Sequence, residues 1–195
     1  MTAKWVLAIM GLMVTASTVS AADEERKIDP TFLHRSTATA REAASDITAA
    51  GCHYKPLFGE GDADANPASG IARFAVVVVD PGAHCKSVSY PDEDQIYVVL
   101  AGAGTAAYAA DPVKLAKEDF LYLPAAVPHA LQNSSAAPLT VAVMGYRTHG
   151  FPKGALPPGP LKDNIANVHL ELVGSHPTST HYRLLLGDSS QKRDR

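Results

Sequence analysis

Residues 81–144 read PGAHCKSVSYPDEDQIYVVLAGAGTAAYAADPVKLAKEDFLYLPAAVPHALQNSSAAPLTVAVM. Four short apolar runs stand out in this stretch: Ile96–Leu100, Thr105–Tyr108, Phe120–Leu123 and Leu139–Met144. Gly102 and Gly104, Asp111-Pro112 and Asn133-Ser134 punctuate them with turn chemistry. Strands this short and this closely spaced, with no long helix between them, predict an all-β sandwich or barrel. Just upstream, Phe74–Asp80 (FAVVVVD) is a β-branched run that predicts a further strand, turned by Asp80-Pro81-Gly82.

Working outward, Gly51–Gly59 reads as a strand or an extended edge, and Pro56, which cannot donate to the ladder, argues against a central strand. The polar residues 60–70 read as a loop. Thr39 followed by Glu42 fits a capping box before an Ala-rich run that stops at Gly51, which predicts one short helix over about residues 40–50. The N-terminus has the form of an export signal: Lys4, then the apolar Trp5–Val14, then small residues up to Ala22. Asp29-Pro30 opens the domain that follows. These features predict four regions: a signal peptide over 1–22, an N-terminal segment over 23–50, a barrel over 51–147, and a Pro-rich arm with two tail strands over 148–195. Cleavage after Ala22 would leave about 173 residues (195 minus 22), enough for one domain with a core, and would place the protein in the periplasm or outside the cell, with no remaining membrane anchor.

The formal net charge of −3 gives no basic face and excludes nucleic acid as an expected partner. The two cysteines, Cys52 and Cys85, each sit beside a histidine. A disulfide and a pair of free thiols are equally consistent with the sequence, and a thiolate metal site is a third reading. His53-Tyr-Lys-Pro-Leu-Phe-Gly59 is echoed by His181-Tyr-Arg-Leu-Leu-Leu-Gly187, which suggests two equivalent edge strands or the start of a second, truncated copy.

One further pattern carries a resemblance. Gly82 and Gly102 bracket a segment spaced like the first motif of the cupin superfamily, Gly-x5-His-x-His-x3-4-Glu-x6-Gly. Pro124, His129 and Asn133 fit the second, Gly-x5-Pro-x-Gly-x2-His-x3-Asn, with Glu118 and Ala126 standing at its first two glycines. The stretch therefore resembles the cupins, which implies a double-sheet jelly-roll barrel. The resemblance also implies where metal ligands would sit, and there the chain departs from it: Val88 and Tyr90 replace the two histidines, Gln95 replaces the glutamate, and only His129 is unchanged. Two readings follow. In one, the barrel is metal-free and binds or isomerises a small molecule or sugar. In the other, the site is rebuilt, with His129, Gln95 and His53 as ligands and Tyr90 as a catalytic phenol beside the metal, His84 being a weaker candidate. Such a nitrogen-rich set favours copper over zinc, iron or manganese. In size, export and depleted motif the chain looks like small secreted copper cupins that cleave cellulose oxidatively, which implies a polysaccharide substrate. The acidic run Asp92, Glu93, Asp94 reads as a solvated turn, or else as a negative rim at the pocket mouth. Homodimerisation is expected through an exposed sheet edge near Phe74–Asp80 or the tail strands.

Overall fold

The computed structural model describes residues 34–59, 70–109, 111–148 and 160–186. The expected signal peptide, the Asp29-Pro30 breaker, most of the 60–70 loop and nearly all of the Pro-rich arm lie outside the described residues.

The described chain is built almost wholly from antiparallel strands, as the alternating runs require. A six-stranded sheet contains β1 (Cys52–Gly59), β2 (Ile71–Val79), β3 (Glu93–Ala101), β6 (Asp119–Leu123), β8 (Leu139–Arg147) and β9 (Leu161–Asn164), in the order β1-β2-β8-β3-β6-β9. A three-stranded sheet has the order β5-β4-β7, from β4 (Ala103–Tyr108), β5 (Asp111–Ala116) and β7 (His129–Gln132). Bridges from His84 to Gln132 and from Val88 to His129 line a further segment along β7. One face of each sheet supplies the core. Ala75, Val77 and Val79, Tyr97 and Val99, Leu121 and Leu123, and Leu139, Val141 and Val143 meet Ala106, Tyr108, Leu115 and Leu131. This period-2 burial is what the apolar runs encode.

Several expectations change in detail. β1 is an edge strand with its register broken between Pro56 and Phe58, where the missing N–H of proline is tolerated. β5 was legible only as a turn, yet Asp111-Pro112 begins an edge strand, another place where proline costs little. The helix predicted over 40–50 does not form. Residues 41–50 instead form a strap along β1, bridged by Ala43 to Tyr54 and Ala49 to Cys52. A helix of ten residues is marginal on its own. Here the Thr48 hydroxyl bonds the Ser45 carbonyl and makes a turn, and Ile47 is buried in the barrel core, so tertiary packing overrides local propensity.

The two halves of the apparent repeat also differ. His53-Tyr54 belongs to the main sheet, whereas His181-Tyr182 forms β11 (His181–Tyr182) in a two-residue pairing with β10 (Glu171–Leu172). β2 is hydrogen-bonded on both sides, by β1 and β8, so the edge near Phe74–Asp80 expected to serve a dimer is not an edge.

Candidate functional site

The two cysteines are joined. Cys52, opening β1, and Cys85, in the turn after β2, form a disulfide with a Cα–Cα distance of 5.2 Å, and both are buried. Of the readings the sequence left open, free thiols and a thiolate metal ligand are thereby set aside. The crosslink sits where the strap closes on the barrel: the backbone N–H of Lys86 donates to the Ile47 carbonyl at 2.9 Å, and that of Cys52 donates to Ala49 at 3.0 Å.

Inside the barrel, polar side chains gather at the strand ends farthest along β8. On β3 the residues sharing a face with the buried Tyr97 and Val99 are Glu93 and Gln95. On β2 the residue sharing a face with Ala75 and Val77 is Arg73. Both strands flank β8, and Gly145 is the residue opposite both Arg73 and Gln95. A Cβ at Gly145 would lie 2.6 Å from Gln95 Nε2, 2.8 Å from Arg73 Cγ and 2.9 Å from Glu93 Oε2. The glycine thus makes the space in which these side chains meet.

They form a connected network. Arg73 Nε donates to Glu93 Oε2 at 3.0 Å, and Gln95 Nε2 donates to the same oxygen at 2.9 Å. Arg73 Nη1 donates to the Tyr90 hydroxyl oxygen at 2.8 Å and reaches Asp46 Oδ1 and Oδ2 at 3.3 and 3.4 Å. Its guanidinium carbon lies 3.9 Å from the centre of the Tyr90 ring, a cation–π contact. Burial works against the charge of Arg73, but the hydrogen bond to Glu93 and the charges nearby hold it firmly protonated. Burial also works against the Asp46 carboxylate, yet the Ser45 hydroxyl and the Arg73 charge hold its pKa below the ordinary value. For Tyr90, burial pushes the pKa well above that of a free phenol and outweighs Arg73. Asp94, on the opposite face of β3, accepts from the Tyr122 hydroxyl at 2.7 Å and from Ala125 N–H at 2.8 Å, pinning the loop that leads into β7. Glu93 and Asp94 are therefore part of β3, one inside the barrel and one buried beneath a loop, rather than a solvated turn.

His129 opens β7 with its side chain in the core, 2% exposed. Its ring lies 5.7 Å from those of both Tyr90 and Tyr97. Nδ1 is 2.9 Å from the Val127 carbonyl, an acceptor only, so Nδ1 carries the proton and Nε2 presents a lone pair. Burial lowers the pKa of His129, which keeps the ring neutral. Neither Nε2 of His129 nor Oε1 of Gln95 has a hydrogen-bond partner among the described residues. Both are buried acceptors, and leaving such a group unpaired costs about 1–3 kcal/mol.

The structure thus brings three of the four sequence-predicted residues, Tyr90, Gln95 and His129, to one end of the barrel interior and leaves His53 out. His53 alternates with the buried Cys52 and Tyr54 and so faces the other way. Its Nδ1 lies 2.9 Å from Glu42 Oε1 and its Nε2 lies 3.1 Å from Asp80 Oδ2. The hydrogen bonds to Glu42 and Asp80 raise its pKa. It acts as a surface clasp between strap and barrel, and its place in the expected ligand set is corrected accordingly. His84 lines an open groove of about 810 Å³ on the outside of the small sheet and is also remote from that interior end. Asp46 and Arg73 are the site residues that sequence reading missed, and from sequence Glu93 reads only as part of a solvated turn or a negative rim. For Arg73 a signal existed, since it falls on the inward parity of β2; for Asp46 there was none, because the strap read as helix.

Residues 75–145 match the sequence family described as the Cupin domain. The barrel is a cupin. Solved structures agree on the fold. A protein from Thermotoga maritima described as a predicted oxalate decarboxylase superposes with a TM-score of 0.50 at 16% identity, covering 57% of this chain and 96% of that one. The Ylba protein of E. coli gives 0.56 at 12% identity, over 69% and 52%. A putative glyoxylate-induced protein of Pseudomonas aeruginosa gives 0.55 at 8% identity, over 68% and 48%, so this chain spans about half of each of the last two. No curated protein matches the sequence significantly.

Cupins commonly bind a metal, and the donors of this cupin can be tested against one. Among the described residues, only one imidazole, that of His129, faces the interior end. Gln95 offers a neutral amide oxygen. Tyr90 holds its proton tightly and already accepts from Arg73. Glu93 is committed to Arg73 and Gln95. Among the described residues, no group of three or more His, Cys, Asp or Glu is arranged to hold a metal ion. A fixed guanidinium next to one imidazole and one amide does not fit copper, and it fits iron, manganese or zinc no better.

Proposed function

We propose that this cupin is a metal-free binding protein whose barrel takes a small hydroxyl-bearing molecule of the sugar or polyol class. The observation that carries the reading is the pair of buried acceptors without partners, His129 Nε2 and Gln95 Oε1. Two acceptors facing the same interior call for a ligand that brings O–H donors, and the aromatic rings of Tyr90 and Tyr97 beside His129 offer flat apolar surface for the carbon face of such a ligand. A void of about 10 Å³ beside His129, lined also by Val88 and Tyr97, has room for one water and not for a sugar. Binding therefore requires movement of the strap or of Tyr90. We read the protein as exported; the Cys52–Cys85 disulfide supports that, since such bonds persist in oxidising compartments.

The test combines two measurements on the mature protein. Titration calorimetry with sorbitol, glycerol and short cello-oligosaccharides, with and without chelator, is expected to give binding that the chelator leaves unchanged and His129→Ala removes. Elemental analysis after exposure to copper, zinc, manganese and iron is expected to find no stoichiometric metal. Stoichiometric copper that disappears in His129→Ala would overturn the reading and restore a copper oxidoreductase acting on a polysaccharide, the reading that the position of His53 and the charge of Arg73 disfavour.

A further inference from the structure

The polar network contains two carboxylates that differ in kind. Glu93 is enclosed, its side chain 16% exposed, and it binds Arg73 through Nε and Nη2 while also accepting from Gln95. Asp46 is 46% exposed and reaches Arg73 only through long contacts to Nη1, the nitrogen that also donates to the Tyr90 hydroxyl. Glu93 comes from β3, inside the six-stranded sheet, and cannot leave without undoing that strand. Asp46 sits on the strap, at a turn held by the Ser45–Thr48 contacts, by Ala43 on Tyr54 and by Ile47 on Lys86. A cleft of about 540 Å³ opens directly on this point and is lined by Asp46, Arg73, Tyr54 and Arg35. Arg73 and Tyr90 join that cleft to the interior, since Tyr90 bonds Arg73 on one side and packs against His129 on the other.

We infer that Asp46 is a built-in stand-in for the carboxylate of the ligand, and that the site takes a small hydroxy acid. This rests on the binding reading above and narrows its ligand class. The ligand carboxylate replaces that of Asp46 on Arg73 Nη1, beside the Tyr90 hydroxyl to which the same nitrogen donates. One negative charge is exchanged for another, so the balance of Arg73 against two carboxylates is kept and no buried charge is left unpaired. Arginine suits the task because its planar fork pairs with a carboxylate in two-point geometry. The hydroxyls of the ligand then donate to His129 Nε2 and Gln95 Oε1, two buried acceptors with no donor among the described residues. A neutral polyol satisfies only the second half of this site and leaves Asp46 in place.

Matched pairs separate the possibilities: gluconate against sorbitol, and glycerate against glycerol, each titrated into the mature protein and into Asp46→Asn. The expected result is that each acid binds more tightly than its polyol and that Asp46→Asn tightens binding of the acids more than that of the polyols. Removing an internal competitor raises apparent affinity by the inverse of the open fraction, roughly tenfold if the strap is closed about nine-tenths of the time. The Lys86 amide, which donates to Ile47 of the strap, is expected to lose hydrogen-exchange protection when acid is bound. Asp46 is exposed and outside the core, so the variant is expected to fold; its urea midpoint is recorded alongside. If polyols bind but the acids bind no better, or if Asp46→Asn leaves acid affinity unchanged, the stand-in role is refuted and the binding reading survives. If neither acids nor polyols bind either protein, both fall.

Discussion

The Cys52–Cys85 bond allows a prediction with a worked magnitude. It closes a loop with a sequence separation of 33 residues, spanning β1, β2 and the turn after it. In the chain-entropy account, a loop of that length removes about 12–13 cal/mol/K from the unfolded ensemble, or about 3.7 kcal/mol at 25 °C. For a chain of this size, 1 kcal/mol corresponds to about 2–4 °C, so the crosslink is worth about 7–15 °C in Tm. Urea unfolding followed by circular dichroism would compare the oxidised protein, the same protein unfolded in reductant and refolded with its thiols blocked from re-pairing by maintained reductant, and Cys52→Ala/Cys85→Ala. The reduced wild-type chain isolates the loop contribution, because both buried sulfurs remain; the double variant also loses their packing and should fall slightly further. The same loss should be seen locally. Cys85 N–H donates to Leu131 at 2.8 Å and Lys86 N–H to Ile47 at 2.9 Å, so hydrogen exchange at these amides should accelerate before that of central strand amides such as Val141. A reduced protein within about 1 kcal/mol of the oxidised one, with unchanged exchange at Lys86, would refute the argument that the disulfide holds the strap against the barrel.

The remaining predictions concern single residues. His129→Leu should change stability by no more than about 1–2 kcal/mol, because relief of the unpaired Nε2 is offset by loss of the Nδ1–H bond to the Val127 carbonyl, while ligand binding is lost; a loss of more than about 2 kcal/mol in the urea midpoint analysis would make His129 a structural residue instead. His53 has a folded pKa raised above its unfolded value of 6.5, so the stability from its pairing with Glu42 and Asp80 is complete below about pH 6.5 and is lost as pH rises through the folded pKa. His53→Gln should flatten that decline in a series of urea melts from pH 5.5 to 9, and identical pH profiles for the two proteins would show that the clasp contributes nothing. Glu118 and Ala126 stand where the cupin motif has glycine and keep positive φ values of 69° and 66°. Replacing either with glycine should stabilise by about 0.5–1 kcal/mol, the left-handed penalty less the entropy of glycine, and a destabilisation of either variant would contradict this.

Much of the barrel was legible because burial on one face writes itself into a strand with period 2. The runs at Phe74–Asp80, Ile96–Leu100, Phe120–Leu123 and Leu139–Met144 all became strands for that reason. β5 and β9 were not legible, since Asp111-Pro112 and Leu161–Asn164 lie at sheet edges and bury little. The strap was misread because Ala-rich residues with a capping box favour a helix locally, while the burial of Ile47 and the pairing with β1 are decided by contacts distant in sequence. At the site, the resemblance correctly indicated inward positions for Gln95 and His129, but it says nothing about residues outside the motif. Arg73 precedes the motif and was hidden by the strength of the valine run beside it. His53 was attractive for its chemistry alone, and strand parity, with Cys52 and Tyr54 buried on either side, argues against it.

On the proposed metal-free reading, the exchange of a metal for a guanidinium in this barrel is a matter of volume as much as of charge. Val88, Tyr90 and Gln95 stand at three of the positions that the cupin motif gives to ligands, which removes two imidazoles and a carboxylate from the interior. A cation still has something to balance there, because Glu93 lies on the inward face of β3 and Asp46 reaches in from the strap. Arg73 can supply that cation only if its side chain has room to cross β8 from β2 towards β3. Gly145 lies on β8 between the two, and any Cβ there would come within 2.8 Å of Arg73 Cγ and within 2.6 Å of Gln95 Nε2. Arg73, Gln95 and Gly145 are therefore one unit: the glycine leaves the room, the guanidinium fills it, and the amide is turned by Glu93 so that its oxygen, rather than its nitrogen, is left without a partner among the described residues. That orientation makes the interior acceptor-rich around a fixed positive charge, and a molecule that carries both an anionic group and hydroxyl donors answers both features at once.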